Sequence, residues 1–466
     1  MKPIVISISG KSGVGKTTIA NLIRYCLGTD KSILFSTDDL HKYARGHSAW
    51  DTITHFHPEA NNIELGDFHI SQLIDDKAIY RSTYNHHTGE FDAPTLITPK
   101  PFVINEGLHA FYSDEMKRMS DFKIYVDTDD ELTKSWKIAR DTKYRGKTKD
   151  EVLRSMNRRS IDAHFIENQR EYADLILKFI EIDGAVKLIV DKKSSKHYLF
   201  DNILDQLLNY FNDISSLVIL SKGVGSSDLV QGPAGNVSVK SDSHMLIKAS
   251  GTCLPDVDYF AGWCNLDIEY FLDYTSFVKA LDEQKYFDIL NASVQDNGTP
   301  SMESGMHSIL KKYVIHTHPD SLMPILCSKT FEQTIKSLYS EYDYCIVPAM
   351  KPGLALFEYI QSQDRIHDVY FLQNHGIIVT SDSEEVMDLH AEIVERAKNL
   401  KYDRSARNEG YITPDEYVFR NCTDSWYTSM KEYYDRIKQM PNVNILSDTV
   451  LQEIDNLEFE QRRKAK

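Results

Sequence analysis

The sequence predicts an α/β chain of two domains, and three observations predict it. Apolar runs that read as buried strands alternate with helical patterns through the first half. A glycine-rich turn, Gly10-Lys11-Ser12-Gly13-Val14-Gly15-Lys16-Thr17, joins the first strand to the first helix. At 466 residues the chain is too long for one ordinary core. Strands alternating with helices give a parallel sheet whose helices are its crossovers.

Composition narrows the class. Hydrophobic residues make up 41% and charged residues 26%, the profile of a globular protein. The net charge is -16, from 53 basic and 69 acidic side chains. That balance argues against nucleic-acid or anionic-membrane partners, which need a basic face. Substrate phosphates must be met by local basic clusters instead. The six cysteines are scattered with no C-x-x-C, which fits buried thiols in a reducing compartment. Met1-Lys2-Pro3 leads straight into a strand, so no leader is expected, and no apolar run is long enough to span a bilayer. A cytoplasmic protein is expected.

The first strand, Ile4-Val5-Ile6-Ser7-Ile8, runs into the glycine-rich turn, and Thr18-Ile19-Ala20-Asn21-Leu22-Ile23 follows with helical spacing. This is G-x-x-x-x-G-K-[ST] in strand-loop-helix context, a P-loop. Gly10, Gly13 and Gly15 let backbone N–H groups turn inward as an anion nest, with Ser12 and Thr18 beside them. Lys16 is placed to reach the outer phosphates of ATP, and the Thr17 hydroxyl to hold Mg²⁺. Gly28 reads as a C-cap. Ser32 to Ser36 reads as a second strand ending in Thr37-Asp38-Asp39-Leu40-His41. Ligands bind at the carboxyl ends of such strands, so Asp38 stands where a general base for a hydroxyl nucleophile is placed. A helix N-cap is the plainer role for it, and the two are compatible. The stretch from His47 to His57 is rich in histidine without metal-ligand spacing. Pro101 to Gly107 and Phe122 to Asp127 are further strands. A helix from Trp136 to Gly146 ends in a basic cluster, where Arg140 and Arg145 suit phosphate contact or a solvated helix end.

Five motifs now stand in order: His57-Pro58-Glu59-Ala60-Asn61-Asn62, Tyr84-Asn85-His86-His87-Thr88-Gly89, Glu106-Gly107-Leu108-His109, Arg140-Asp141…Arg145-Gly146 and Glu171-Tyr172-Ala173-Asp174. In them the first 180 or so residues resemble the phosphoribulokinase and uridine kinase family. The resemblance implies a P-loop kinase fold and ATP-dependent phosphorylation of a sugar or sugar phosphate, pentulose-like. It matches Asp38 to the catalytic base and Asp141 to a second essential acid. It matches His41 and Arg45 to sugar-phosphate contacts, and Arg140 and Arg145 to active-site arginines. Tyr84, His86 and Glu106 fall in the matched motifs as substrate-binding candidates. The stretch between Arg45 and His57 departs from the family pattern.

An apolar stripe at helical spacing, His197 to Phe211, reads as core or packing, followed by a second helix from Ile214 to Leu220. The domain boundary is placed near residue 212, giving domains 1–212 and 213–466.

In the second half, Gly232-Pro233-Ala234-Gly235 runs into a strand beginning Asn236-Val237-Ser238, and Lys248-Ala249-Ser250-Gly251 follows another apolar run. Such loops suit either a phosphate cradle or a hairpin. His316-Thr317-His318 ends the strand Tyr313-Val314-Ile315. On a strand, i and i+2 share a face, so two imidazoles can bind one metal ion. His375, in Asn374-His375-Gly376, supplies a third, and three His with an open position is a catalytic zinc pattern. Glu303, in Pro300-Ser301-Met302-Glu303, suits proton transfer beside such a site or a helix start.

Taken in order, these motifs from about 215 to 400 look like the class II aldolase/adducin family. The resemblance implies an α/β domain around a mostly antiparallel sheet. It makes His316, His318 and His375 ligands of Zn²⁺ and Glu303 the acid/base. Asn236, Ser250, Gly251 and Ser301 match its ketose-phosphate site, with Met302 replacing a serine found in several aldolases. It also implies a homotetramer with sites at subunit interfaces. Its epimerases carry aspartate at the Glu303 position, which favours an aldolase or dehydratase. Residues from about 402 onward read as a solvated or oligomer-contacting tail ending in a charged helix, Gln452 to Lys466.

The expectation is a bifunctional carbohydrate enzyme, a kinase joined to a zinc-dependent aldolase. A kinase joined to an epimerase or dehydratase, and a regulator that senses nucleotide and sugar phosphate, are the alternatives.

Overall fold

The computed structural model describes residues 2–85, 88–182, 184–194, 198–241, 243–278, 280–295, 298–398, 400, 405–406, 408–418, 420 and 425–455. The side chains of Asp38, Lys143, Tyr144, Tyr198, Leu199, Val418, Ser425, Trp426 and Ser429 are excepted. Asp38 and His86, both expected in the kinase site, therefore lie outside the described side chains. The chain divides into two compact units, Met1–Asn212 and Asp213–Lys466.

The first unit is built on a six-stranded sheet. Its strands are β1 (Ile4–Ser9), β2 (Ser32–Ser36), β3 (Phe102–Gly107), β4 (Phe122–Thr128), β5 (Leu175–Ile182) and β6 (Ala185–Lys193), in the order β6-β5-β4-β1-β3-β2. All neighbours are parallel except the antiparallel edge pair β5–β6. β1 and β3 are buried along nearly their whole length, which is why they read as unbroken apolar runs rather than alternating ones. Ile33, Phe35, Val103, Tyr125 and Ile176 from the strands close on Ile70, Leu73 and Phe111. Because β3 and β4 flank β1, the chain reverses across the sheet beside the carboxyl end of β1. That is where an open α/β sheet forms its ligand crevice. α1 (Lys16–Leu27) starts there, and Gly28 caps its far end at φ 91°.

In the second unit the strands are β7 (Asn236–Lys240), β8 (His244–Lys248), β9 (Trp263–Asp267), β10 (Tyr313–Thr317), β11 (Tyr344–Val347), β12 (Val369–Leu372) and β13 (Gly376–Ser381). Their order is β9-β8-β7-β10-β13-β12-β11, antiparallel throughout except for β11–β12. The sheet is mostly antiparallel, as the resemblance implies. Met245, Ile247 and Leu266 pack against Phe271, Tyr286 and Phe357, while Val314, Tyr370 and Ile378 pack with Met306 and Leu356.

Two expectations are corrected here. The helices expected on either side of residue 212 are one helix, Tyr198–Gly223. Buried Phe200, Ile203, Leu204, Leu207, Phe211, Ile214, Leu217 and Val218 keep helical spacing straight through that point, with no Gly or Pro to break it. The C-terminal stretch is not a solvated tail. Ile412, Thr413, Glu416, Tyr434 and Ile454 are all buried. Of the charged helix expected at Gln452 to Lys466, only its start falls among the described residues, within Asp448–Asp455.

Candidate functional site

In the first unit, the loop after β1 delivers its residues as the motif requires. Gly15 caps α1 in the left-handed region at φ 90°, and a Cβ there would lie 2.6 Å from the Phe179 ring. Only glycine holds that turn without strain. Lys16 Nζ donates to the Lys11 carbonyl at 2.9 Å, within the loop itself. The Thr17 hydroxyl donates to Glu106 Oε1 at 3.3 Å, so the acid that ends β3 meets the residue expected to hold Mg²⁺.

The helix α2 (Asp130–Arg145) brings a charged cluster to the loop. Lys137 Nζ donates to Ser12 Oγ at 3.0 Å and lies 3.8 Å from Asp141 Oδ2. Lys137 is 2% exposed. Burial pushes its ammonium down to about 6, with Arg159 and Arg140 adding repulsion and Asp141 opposing. Arg140 Nε donates to Asp141 Oδ1 at 2.9 Å, and Arg145 stands 3.5 Å from the same oxygen. Burial alone would raise the Asp141 carboxyl, but Arg140, Lys137 and Arg145 outweigh it and hold it below its ordinary value.

A second group gathers around His41. Its Nδ1 pairs with Asn61 Oδ1 at 2.8 Å, and its ring stacks on His55 at 4.7 Å, with Tyr84 edge-on at 5.5 Å and Trp50 at 5.9 Å. His55 and Trp50 come from the stretch that departs from the family pattern. Tyr84 is fixed by its backbone N–H, which donates to Asp39 Oδ1 at 2.8 Å. The Arg45 N–H donates to Gly89 O at 2.8 Å, tying it to the turn after Tyr84.

In the second unit, β10 presents His316 and His318 on one face, and His375 enters from the turn between β12 and β13. The three ligand nitrogens lie within 4.8 Å of one another, the metal-capable group found among the described residues. His316 Nε2 and His318 Nε2 are 3.2 Å apart. His316 Nδ1 is 2.9 Å from the Ile377 carbonyl, so Nδ1 carries the proton and Nε2 keeps its lone pair for a ligand. Burial holds the His316 imidazole neutral and, with repulsion from His318, lowers His375 to about 3. Three converging imidazoles are a donor set that fits a divalent metal ion. Gly376 makes room for this packing, since a Cβ there would fall 2.5 Å from His318 Cδ2.

Glu303 sits just before the short helix Ser304–Ser308 but makes no side-chain cap bond to it. Instead Glu303 Oε1 lies 3.3 Å from His375 Nε2 and 3.5 Å from His316 Nε2. Asn236 Nδ2 donates to Glu303 Oε2 at 2.6 Å, which turns the other oxygen toward the imidazoles. The cleft beside this group is lined by Asn236, Ser250, Gly251, Ser301, Met302 and Glu303 among others. The sequence-expected metal and phosphate residues are thus brought together.

Three further residues were not singled out from sequence. Lys137 was visible in principle, because Lys137 and Asp141 are i and i+4 on one helix. Lys248 also lines the cleft, its Nζ donating to Pro233 O at 2.9 Å and Thr252 O at 2.8 Å. Asp415 lies 3.2 Å from His318 Nδ1, and no local pattern announces it.

The first unit has the strand-loop-helix core of a P-loop fold and the second a mostly antiparallel sheet, and each matches a known family. Residues 5–183 match the model of the phosphoribulokinase/uridine kinase family, and residues 215–402 match that of the class II aldolase and adducin N-terminal domain. The uridine kinase of Bacillus pumilus is 34% identical over 182 residues, covering 38% of this chain and 86% of that protein. Through its first unit the chain belongs to the phosphoribulokinase/uridine kinase family. A Synechocystis phosphoribulokinase is 33% identical over 192 residues, 41% of this chain. The match spans 57% of that relative's length. Among solved structures, the N-terminal class II aldolase domain of a conserved Thermoplasma acidophilum protein is 27% identical, with a TM-score of 0.37, over 40% of this chain and 92% of that one. Among the described residues, no helix is long and apolar enough to cross a membrane.

Proposed function

We propose that the chain is a bifunctional carbohydrate enzyme. Its first unit phosphorylates a sugar or sugar phosphate from ATP, and its second makes or breaks a carbon–carbon bond of a ketose phosphate. The observation that carries this reading is the convergence of His316, His318, His375 and Glu303 beside a polar cleft, in a chain that also holds an intact P-loop.

In the kinase unit, Thr17 and Glu106 would hold Mg²⁺, which supplies charge neutralisation at the phosphates. Lys16, Lys137, Arg140 and Arg145 meet the negative charge of the phosphoryl group. Asp141 keeps the arginines in place. Asp38 accepts the proton of the sugar hydroxyl, and His41 and Arg45 position the sugar. Most of the effect is positioning rather than covalent chemistry.

In the second unit His316, His318 and His375 would hold Zn²⁺, which supplies Lewis-acid polarisation of the ketose oxygens. Glu303 moves the proton, oriented by Asn236. Ser250, Gly251 and Ser301 bind the phosphate, and Lys248 adds a positive charge to that wall. Glutamate at 303 favours aldolase or dehydratase over epimerase chemistry. A cytoplasmic homo-oligomer is part of the same reading.

Two variants test it. Asp38→Asn should lose about 10²–10⁴-fold of ADP release with an accepting sugar. His316→Ala should lose zinc while ADP release stays intact. Survival of full ADP release in the first, or of full zinc occupancy in the second, sinks the corresponding half.

A further inference from the structure

The region matched by the class II aldolase model ends at residue 402, yet the cleft is lined by Pro414, Asp415 and Ile454 from beyond it. Two histidines of the triad are tied to that later segment. Asp415 Oδ2 lies 3.2 Å from His318 Nδ1, the ring nitrogen turned away from the one facing His316. A carboxylate there accepts a hydrogen bond from Nδ1–H, which fixes the ring's tautomer and leaves Nε2 as the ligand atom. His375 is tied through its neighbour. Asn374, held at φ 59°, donates from Nδ2 to Ile412 O at 2.8 Å and Asn444 O at 2.7 Å, and Asn444 Nδ2 donates back to its Oδ1 at 2.6 Å. His316 differs, because its Nδ1 is held by Ile377 of the sheet itself.

The stretch that carries Asp415 is itself anchored. Glu416 accepts from the Ile412 N–H at 2.9 Å and pairs with Lys438 Nζ at 2.5 Å, both within the same segment. Tyr434, from the helix Ser425–Ile437, is fully buried. These bonds hold Asp415 against the ring rather than leaving it on a mobile end.

We infer that Asp415 is a positioning residue for the metal ligand His318, and that the later segment carrying it is an integral part of the metal centre. The inference rests on the zinc reading above. It adds that the matched region alone, ending at 402, holds its metal poorly in this chain.

The test is metal affinity of the full chain, measured with Zn²⁺ against a chromophoric chelator and with Co²⁺ by its visible absorption. Asp415→Asn keeps the shape and removes the charge, and should weaken affinity about 10-fold, with Asp415→Ala nearer 100-fold. The Co²⁺ bands should shift in both variants, which loss of packing alone would not cause, and Asp415→Glu should recover part of the affinity. Asn374→Gly tolerates φ 59° but drops the bonds to the segment, and should also weaken binding. If Asp415→Ala fails to fold, Asp415→Asn decides. Wild-type affinity and wild-type Co²⁺ bands in a folded Asp415→Asn protein overturn the inference while leaving the zinc reading intact. A wild-type chain that binds neither ion overturns the zinc reading, and the inference with it.

Discussion

Lys137 Nζ donates to Ser12 Oγ at 3.0 Å, joining α2 to the phosphate-binding loop across 125 residues of sequence. The bond places an ammonium that burial has lowered to about 6 against the glycine-rich loop. The folded lysine titrates near 6 and the unfolded one near 10.5. Between those values the unfolded chain carries the extra proton, so this group makes stability rise with pH across that window. A bound polyphosphate favours the charged form. ATP binding at pH 8 should therefore take up close to one proton, read by calorimetry in buffers of different ionisation enthalpy. Lys137→Met should abolish the uptake, and a wild-type chain that takes up none contradicts the placement.

Gly15→Ala forces a Cβ to 2.6 Å from the Phe179 ring at a φ of 90°. The strain is on the order of 1–3 kcal/mol and falls on the turn that aims the loop N–H groups. ATP affinity should drop at least tenfold while metal binding at the second unit is unchanged. Equal ATP affinity in the variant would show that the loop tolerates the turn in another form.

Glu303→Gln keeps three imidazoles and removes the carboxylate at 3.3 Å from His375. Zinc should stay bound, and turnover of a ketose phosphate should fall about 10²–10⁴-fold. Metal content and product formation on the same sample check this. Full turnover in the variant removes Glu303 from the proton-transfer role.

Tyr286 is fully buried, and its hydroxyl donates to Met302 O at 2.8 Å and accepts from the Gly305 N–H at 3.2 Å. It clamps the backbone on both sides of Glu303. Tyr286→Phe leaves a buried carbonyl and N–H to find new partners and should cost about 1–3 kcal/mol. A thermal melt that follows the second unit should move down by several degrees. An unmoved transition would mean that water replaces the hydroxyl.

Much of both sites was legible because local patterns carry them. The P-loop spacing dictates the Gly15 turn, and the two-residue period of a strand puts His316 and His318 on one face. His375 and Glu303 were picked out as a third imidazole and a carboxylate to go with His316 and His318, but nothing local joins them to β10, and the family motifs assigned their roles. Asp415 stayed hidden because it reaches His318 from the far end of the chain. The segment's mixed composition reads as solvated, although Ile412, Tyr434 and Ile454 bury it. The single helix Tyr198–Gly223 was cut in two because the domain boundary was placed at residue 212, while its apolar stripe ignores that point. The aromatic group of His55 and Trp50 on His41 comes from the stretch without family pattern, where only tertiary contact reveals the cluster.

The central claim is that one chain carries both a sugar phosphorylation and a ketose-phosphate carbon–carbon step. Its most direct test is mass spectrometry of products after incubating the purified chain with ATP, Mg²⁺, Zn²⁺ and a panel of pentoses, pentuloses and their phosphates. A phosphorylated species together with its cleavage or condensation product is expected. Lys16→Ala should remove the phosphorylated species, and His316→Ala should leave it uncleaved. A wild-type chain that releases no ADP with any sugar and forms no carbon–carbon product contradicts the account.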